Sequence, residues 1–346
     1  MAEAGKIKSL LFFFLKIALA VLVVWILFSR GQQEILKCLR NFDYRFLFPA
    51  IFFQFFQGAV CGWRWQNLAK VLGVKLSFFE AFSLTMQGNF FSLVIPGGAI
   101  GGDVVKMAVI SKRSLSGNKL EGVFTVFMDR VVGMVSLFSL TLLLLIPGAE
   151  LLMKVQFAQL HREPWLNVLF IAGTALLCLA GLGASAMIFF HRSLFKLPGV
   201  KTLAEKGELL SHGGLSRMTG AADLYASHWK KLLFLVLITT FFVHLMVVIP
   251  FFFILTGMGI KYSFFAVILA ATIGNIAGLI PLFPGGIGIR DLVTVTILSA
   301  SSIAAGDAKA AMLLATALLL VMNLSGGLFF IFDPGRRKQE VENEQQ

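Results

Sequence analysis

Apolar runs that are too long for the core of a soluble domain dominate this chain. A membrane-spanning helix needs about 20 consecutive apolar residues, and 58% of the 346 residues are hydrophobic while only 14% are charged. The pattern predicts an all-α fold, a polytopic transmembrane helical bundle. The predicted spans are Leu10–Phe28, Phe46–Leu68, Phe78–Ile95, Val123–Ile146, Leu166–Phe190, Leu232–Leu255, Phe264–Leu282 and Ala311–Phe332.

Two of these spans lead into matching sequences that break helices. The first, GNFFSLVIPGGAIGGDVVK, covers Gly88–Lys106, and the second, GNIAGLIPLFPGGIGIRD, covers Gly274–Asp291. Both place Gly-Asn upstream of Pro-Gly-Gly, and in both an aspartate follows the proline by seven residues. The shared spacing predicts an internal repeat.

Each Pro-Gly-Gly motif precedes a short apolar helix, predicted over Asp103–Ile110 and over Asp291–Ala300. These helices have about half of the length that a span requires. We therefore expect two re-entrant hairpins with the motifs at their tips, in which the chain leaves on the side from which it came. Irregular backbone is tolerated at membrane depth where protein shields it or where it faces a water-filled cavity.

The distribution of lysine and arginine predicts the orientation of the chain. The net charge is +12, and basic residues concentrate in loops that lie inside when the N-terminus is cytoplasmic. The basic loop Arg30–Arg45, which lies outside in this arrangement, is the exception. Both termini are therefore predicted to be cytoplasmic.

This topology makes the two hairpins dip from opposite faces of the membrane, which is the inverted-topology repeat of many secondary transporters. The predicted repeat halves cover about residues 1–147 and 165–333 of a single membrane domain, residues 1–335. Residues 336–346 are predicted to form a polar cytoplasmic tail.

Polar and charged residues inside a membrane are functional candidates. Each hairpin presents a helix N-terminus, which attracts anions, and its glycines let a ligand approach the backbone. We expect a lipid phosphate between the two N-termini, with Arg290 as one of its partners. The candidate substrate-binding residues are Asn89, Gly97, Gly98, Gly101, Gly102, Asp103, Lys106, Arg130, Asn275, Gly285, Gly286, Arg290 and Asp291.

Alternatives to direct substrate binding stay open for the charged residues. Asp103 and Asp291 have the side chain of a helix cap, and Lys106, three residues after Asp103, is able to neutralise it. We expect Arg130 to bridge to Asp103, either structurally or within a site. We interpret Arg64, near the inner end of its span, as a snorkelling residue.

Other classes of site are not indicated. No cluster of basic and aromatic residues points to nucleic acid, and the three cysteines have no metal-ligand spacing. The GASA sequence at Gly183–Ala186, taken with His244, is weakly similar to an intramembrane serine protease but lacks the second glycine of that motif. We expect His244 to be a helix contact, and predict no metal, no cofactor and no enzymatic activity.

The chain resembles the lysylphosphatidylglycerol synthase transmembrane region, also called the flippase-like membrane domain family. The residues that carry the resemblance are RWQNLAKVLG, GNFFSLVIPGGAIGGDVVK, DRVVGM and PLFPGGIGIRD. The resemblance implies a helical bundle with hairpins in the bacterial plasma (inner) membrane. The best-known members of the family move an aminoacylated phosphatidylglycerol across that membrane. In those members a separate soluble domain makes the lipid, whereas this sequence ends at Gln346 without one.

We therefore expect translocation rather than synthesis, with the substrate open among a lysyl lipid, another phospholipid and a polyprenyl-phosphate-linked sugar. Two alternatives to lipid translocation remain. One is a non-transporting membrane partner of a lipid-modifying enzyme, and the other is a small-solute secondary transporter. The sequence does not define the oligomeric state.

Overall fold

The computed structural model describes residues 40–95, 99–113, 119–156, 164–189, 208, 214–279 and 288–332. Every regular element in these ranges is helical, as the apolar runs predict. The α-helices are α1 (Leu47–Val71), α2 (Phe78–Val94), α3 (Ala99–Arg113), α4 (Lys119–Met153), α5 (Pro164–Phe189), α6 (Gly214–Ser227), α7 (Trp229–Thr239), α8 (Ile249–Gly257), α9 (Phe264–Ala277), α10 (Ile289–Ala300) and α11 (Ala305–Ile331).

Within the described ranges, five helical segments are long and apolar enough to cross a membrane. They are Tyr44–Val71, Lys119–Met153, Pro164–Phe189, Trp229–Gly257 and Ala305–Ile331. Each corresponds to a predicted span, so the chain is a multi-pass membrane protein. The predicted span Leu10–Phe28 lies outside the described residues.

Two predicted spans, Phe78–Ile95 and Phe264–Leu282, are shorter than expected. Their helices α2 and α9 contain 17 and 14 residues, below the length of about 20 that a span needs. The short helix expected from Asp103 begins one turn earlier, at Ala99. The reason is that Gly101 and Gly102 form part of the packed helix surface and not part of the turn.

The long helix α4 connects the two ends of the bundle. Glu121, near its start, accepts a hydrogen bond from Arg217 Nε of α6 at 3.0 Å. Tyr225 of α6 donates through its hydroxyl to the carbonyl of Leu68, near the end of α1, at 3.0 Å. These contacts define what we call the α6 end.

The opposite end, which we call the α8 end, joins the start of α1 to the ends of other helices. The backbone N–H of Asp43 donates to the carbonyl of Gly257, the last residue of α8, at 2.8 Å. Leu152, near the end of α4, shares a buried cluster with Leu255 of α8 and Leu298 of α10.

Each short helix returns to the end of the bundle at which its preceding helix begins. Ile110 of α3 shares a buried cluster with Val74 and Leu76, which precede α2 at the α6 end. Leu298 of α10 shares a cluster with Val267, in the first turn of α9. Helices α2 and α3, and likewise α9 and α10, are therefore antiparallel pairs located at opposite ends.

The predicted span Leu232–Leu255 is interrupted. Helix α7 continues as a π-helical turn over Thr240–His244, and α8 begins at Ile249 after a further turn. Pro250 explains the break, because proline has no N–H to donate and its ring clashes with a carbonyl four residues earlier. The interruption lies beside the cavity described next.

Candidate functional site

Helices α2 and α3 approach so closely that their backbones touch. A Cβ atom at Gly102 would overlap the carbonyl oxygen of Gly88, and a Cβ atom at Gly88 would lie 3.0 Å from Cδ of Lys106. Glycine permits this approach because it has no side chain. The crossing places Asn89, Asp103 and Lys106 along one cavity between α2, α3 and α4.

Two ion pairs join α3 to α4 across this cavity. Arg130 donates through Nε to Asp103 Oδ2 at 2.7 Å, and Lys106 Nζ lies 3.4 Å from Asp129 Oδ2. The predicted bridge between Arg130 and Asp103 is therefore confirmed. The expected neutralisation of Asp103 by Lys106 is wrong, because α4 offers each of the two residues its own partner of opposite charge.

Arg64 of α1 belongs to the same network. Its Nε donates to Asp129 Oδ1 at 2.7 Å, and the two side chains are only 8% and 9% exposed. The interpretation of Arg64 as a snorkelling residue is wrong, because a carboxylate on α4 compensates its charge inside the bundle. Breaking such a buried pair leaves an uncompensated charge, which is strongly destabilising.

Lys106 also contacts an aromatic ring. Its ammonium lies 4.2 Å from the ring centroid of Trp65, and the indole N–H of Trp65 donates to Thr125 at 3.0 Å. The face of an indole ring attracts a cation. Helices α1, α3 and α4 therefore fix the position of Lys106 together.

These side chains line what we call the polar cavity, which has a volume of about 240 Å³. Its three basic and two acidic residues leave one excess positive charge. Arg130 is its most exposed cation, with 35% of its side chain accessible. The cavity thus favours an anion. Its charged residues are Arg64, Asp103, Lys106, Asp129 and Arg130.

Helices α9 and α10 cross in a similar way, since a Cβ atom at Gly274 would overlap Thr294 Oγ1. Arg290 donates through Nε to Asp291 Oδ1 and through Nη2 to Thr316 of α11, both at 2.8 Å. Thr316 in turn donates to Asp291 Oδ2 at 3.2 Å. The charges balance within this group, so a phosphate at Arg290 would compete with Asp291.

The structure separates the predicted site residues into two groups. Asn89, Gly102, Asp103, Lys106 and Arg130 line the polar cavity. Asn275 and Arg290 line a second cavity of about 40 Å³, and Asp291 binds Arg290 beside it. In the part of the chain that the structure describes, the two groups do not share one cavity.

The glycines of the predicted site have mainly a packing role where they are described. A Cβ atom at Gly101 would lie 2.9 Å from Cβ of Ile95, so this glycine closes the α2–α3 pair. Gly97, Gly98, Gly285 and Gly286 lie outside the described residues.

Neither aspartate acts as a helix cap through its side chain. Helix α3 begins at Ala99, which leaves Asp103 beyond the first turn. The N-cap of α10 is Gly288, without a side-chain hydrogen bond. The carboxylates of Asp103 and Asp291 accept hydrogen bonds from side chains instead.

His244 lies at the edge of the polar cavity, at the end of the π-helical turn. Its Nε2 binds the carbonyl of Gly133 on α4 at 3.1 Å, which confirms the predicted helix contact. Ser185 donates to the carbonyl of Gly181 on its own helix at 2.8 Å. The two residues of the weak protease similarity therefore have different partners.

Sequence reasoning left Arg64 and Asp129 out of the candidate site. Both lie within long apolar runs, 65 residues apart. A basic residue in one apolar span and an acidic residue in another are the signal that would have indicated this ion pair. Thr316 lacks any such signal, because a threonine is common within a membrane helix.

The membrane-length helices and the buried ion pairs define a polytopic helical membrane protein with a polar cavity among its helices. The family described as the lysylphosphatidylglycerol synthase TM region matches residues 13–327, and the chain belongs to this family. It is also similar to UPF0104 membrane protein PH1989 of Pyrococcus horikoshii, with 24% identity over 308 residues. That match covers 88% of this chain and 89% of the relative.

Proposed function

We propose that this chain is a flippase-like lipid transporter of the bacterial plasma membrane. It would move the head group of an anionic or aminoacylated phospholipid, or another lipid-linked head group, while the lipid tails stay in the bilayer. The observation that carries this proposal is the excess positive charge of the polar cavity. Arginine and lysine bind phosphate through charge-assisted hydrogen bonds, and an aminoacyl ammonium group would compete with Arg130 for the carboxylate of Asp103.

We further propose that the two antiparallel helix pairs are re-entrant hairpins. Their helices contain 17 and 15 residues in α2 and α3, and 14 and 12 residues in α9 and α10. All are shorter than a typical span. The return of α3 to the α6 end and of α10 to the α8 end supports hairpins that enter from opposite faces.

A matching register supports the inverted repeat. Gly88 contacts Gly102 and Lys106, and Gly274 contacts Arg290 and Thr294. In both pairs the contacted residues follow the proline of the Pro-Gly-Gly motif by six and ten positions. The glycine of each Gly-Asn dipeptide therefore meets the same two positions of the following helix, as a duplicated unit requires.

Transport by the full chain can be measured after reconstitution into liposomes. Fluorescent phosphatidylglycerol in the inner leaflet is protected from dithionite until the protein moves it outward. We expect protein-dependent loss of this protection, and a loss about tenfold slower in Arg130→Gln, because one charge-assisted hydrogen bond is worth about 1.5–3 kcal/mol.

Arg217→Gln is the matched control, because it removes an arginine–carboxylate pair between α4 and α6 outside the polar cavity. It should flip lipid at the wild-type rate. A panel of phosphatidylglycerol, phosphatidylethanolamine and lysylphosphatidylglycerol that shows no protein-dependent movement would contradict the proposal. Normal transport by Arg130→Gln would remove the polar cavity from the mechanism.

A further inference from the structure

A further cavity lies on the other side of α4. It has a volume of about 290 Å³, near the lower end of ligand pockets, about 300 Å³. Helices α4, α5, α6 and α7 contribute its lining side chains, all of them hydrophobic. We call it the apolar groove and define it by Met128, Val132, Val135, Trp229, Leu233 and Val236.

Helix α4 separates the apolar groove from the polar cavity. Asp129, Gly133 and Leu137 face the polar cavity, whereas Met128 and Val132 line the groove. Successive residues of an α-helix point about 100° apart, so these two sets occupy opposite faces of α4. Because α4 lies between the two, a lipid whose head group occupies the polar cavity does not have its acyl chain in the apolar groove.

The rim of the groove combines exposed apolar surface with positive charge. Trp229 is 58% exposed and Leu233 is 50% exposed. Lys230 Nζ lies 5.8 Å from the ring centroid of Trp229. One ammonium group thus stands beside the opening of a groove whose lining has only the indole N–H of Trp229 as a polar side-chain group.

We propose that the apolar groove binds one acyl chain of an anionic membrane phospholipid, whose phosphate contacts Lys230. The apolar lining excludes a polar ligand, since burying polar groups without partners is costly. The lysine selects a negative head group, because basic residues at a membrane surface attract anionic lipids. This lipid is a resident ligand that bridges α4, α5, α6 and α7, and it is distinct from a transported one.

Native mass spectrometry of the purified full chain tests this site. The protein is released from detergent after titration with phosphatidylglycerol or with phosphatidylcholine of the same acyl chains. We expect one retained phosphatidylglycerol and weaker retention of phosphatidylcholine. Lys230→Gln should lower the affinity for phosphatidylglycerol about fivefold and leave that for phosphatidylcholine unchanged.

A second variant tests the acyl chain separately. Val236→Phe fills the groove and should lower the retention of both lipids, while Ile238→Phe, on the same helix but outside the lining, should not. Lys261→Gln removes one exposed lysine elsewhere and controls for net charge. Both control proteins should retain phosphatidylglycerol as the wild type does.

Wild-type retention by Lys230→Gln and by Val236→Phe would overturn the proposal. Equal retention of the two lipids by the wild type would overturn the assignment of an anionic head group. Lys106→Met separates this site from the transport site. It should slow lipid movement without changing retention, and loss of retention in this variant would place the retained lipid in the polar cavity.

Discussion

At the scale of single residues, Asp129 compensates the positive charges of two buried cations in the bundle interior. Its two carboxylate oxygens bind Arg64 of α1 and Lys106 of α3. Each of these cations would otherwise be buried without a counter-charge. One carboxylate therefore holds three helices together.

Asp129→Asn should lower the free energy of unfolding by about 3–5 kcal/mol, the usual cost of breaking a buried ion pair. The reason is that Arg64 and Lys106 remain buried while their shared counter-charge disappears. Unfolding of the purified protein in mixed detergent micelles measures the loss. Asp307→Asn, at an exposed position of α11, should change the same quantity by less than about 1 kcal/mol. Similar losses in both variants would contradict this role of Asp129.

Local sequence rules predicted part of this network. Asp129 and Arg130 are adjacent and point in different directions, which favoured a bridge from Arg130 to Asp103, and the structure contains it. The pairing of Arg64 with Asp129 joins residues that are 65 positions apart. Helical periodicity carries no information about such a pair, because the pairing depends on how α1 packs against α4.

At the scale of helices, close crossings depend on glycines that face a neighbouring backbone. Gly102 meets Gly88 between α2 and α3, Gly274 meets α10, and Gly326 of α11 meets the carbonyl of Met86 on α2. Small residues let membrane helices approach and gain van der Waals contact. The bundle thus uses glycine where its short helices lie against a neighbouring backbone.

Gly102→Ala should destabilise the protein by about 1–3 kcal/mol, because overpacking forces the backbone of α2 or α3 to shift. Gly183→Ala is the matched control on α5, where a Cβ atom would meet nothing within 4 Å. It should be neutral or stabilising by about 0.5–1 kcal/mol, because alanine favours the helix. The midpoint of unfolding in mixed micelles compares the two variants. Equal midpoints would show that the α2–α3 crossing tolerates a side chain.

Tyr225→Phe should weaken the attachment of α6 by about 1–3 kcal/mol, because the buried carbonyl of Leu68 loses its donor. Tyr262→Phe removes the hydroxyl contact with Thr256 at an exposed site and should cost less. Proteolysis of the detergent-solubilised protein within residues 214–227 reports detachment of α6. Equal rates of cleavage in the two variants would contradict the expectation.

At the scale of the whole molecule, four basic residues of the described segments mark the two ends of the bundle. Lys75 and Arg217 belong to segments that meet at the α6 end, while Lys154 and Lys261 follow residues that meet at the α8 end. The charge bias predicts that the α6 end is cytoplasmic. The orientation of the two ends remains a prediction.

Single cysteines at these four lysine and arginine positions, in a variant without native cysteines, measure the orientation in intact cells. An impermeant maleimide should label positions 154 and 261, and should label positions 75 and 217 only after the cells are permeabilised. The parent variant without cysteines should remain unlabelled. The opposite pattern would invert the predicted orientation while leaving the fold unchanged.

The sequence predicted the helical class and most spans because a run of about 20 apolar residues can adopt few structures other than a membrane-spanning helix. It did not predict the interruption at Pro250 or the separation of the candidate site residues into two cavities. The first arises from one missing N–H within an otherwise uniform apolar run. The second accompanies the pairing of Arg290 with Asp291 of α10 and Thr316 of α11.

The single excess positive charge of the polar cavity has a consequence for energised membranes. A singly charged anionic head group would neutralise the cavity, so the loaded transporter would be electrically silent and the empty one charged. A potential of 100 mV acts on one transferred charge with about 2.3 kcal/mol. Under the proposed function, voltage would therefore govern the return of the empty protein, and the lipid itself would cross without electrical work.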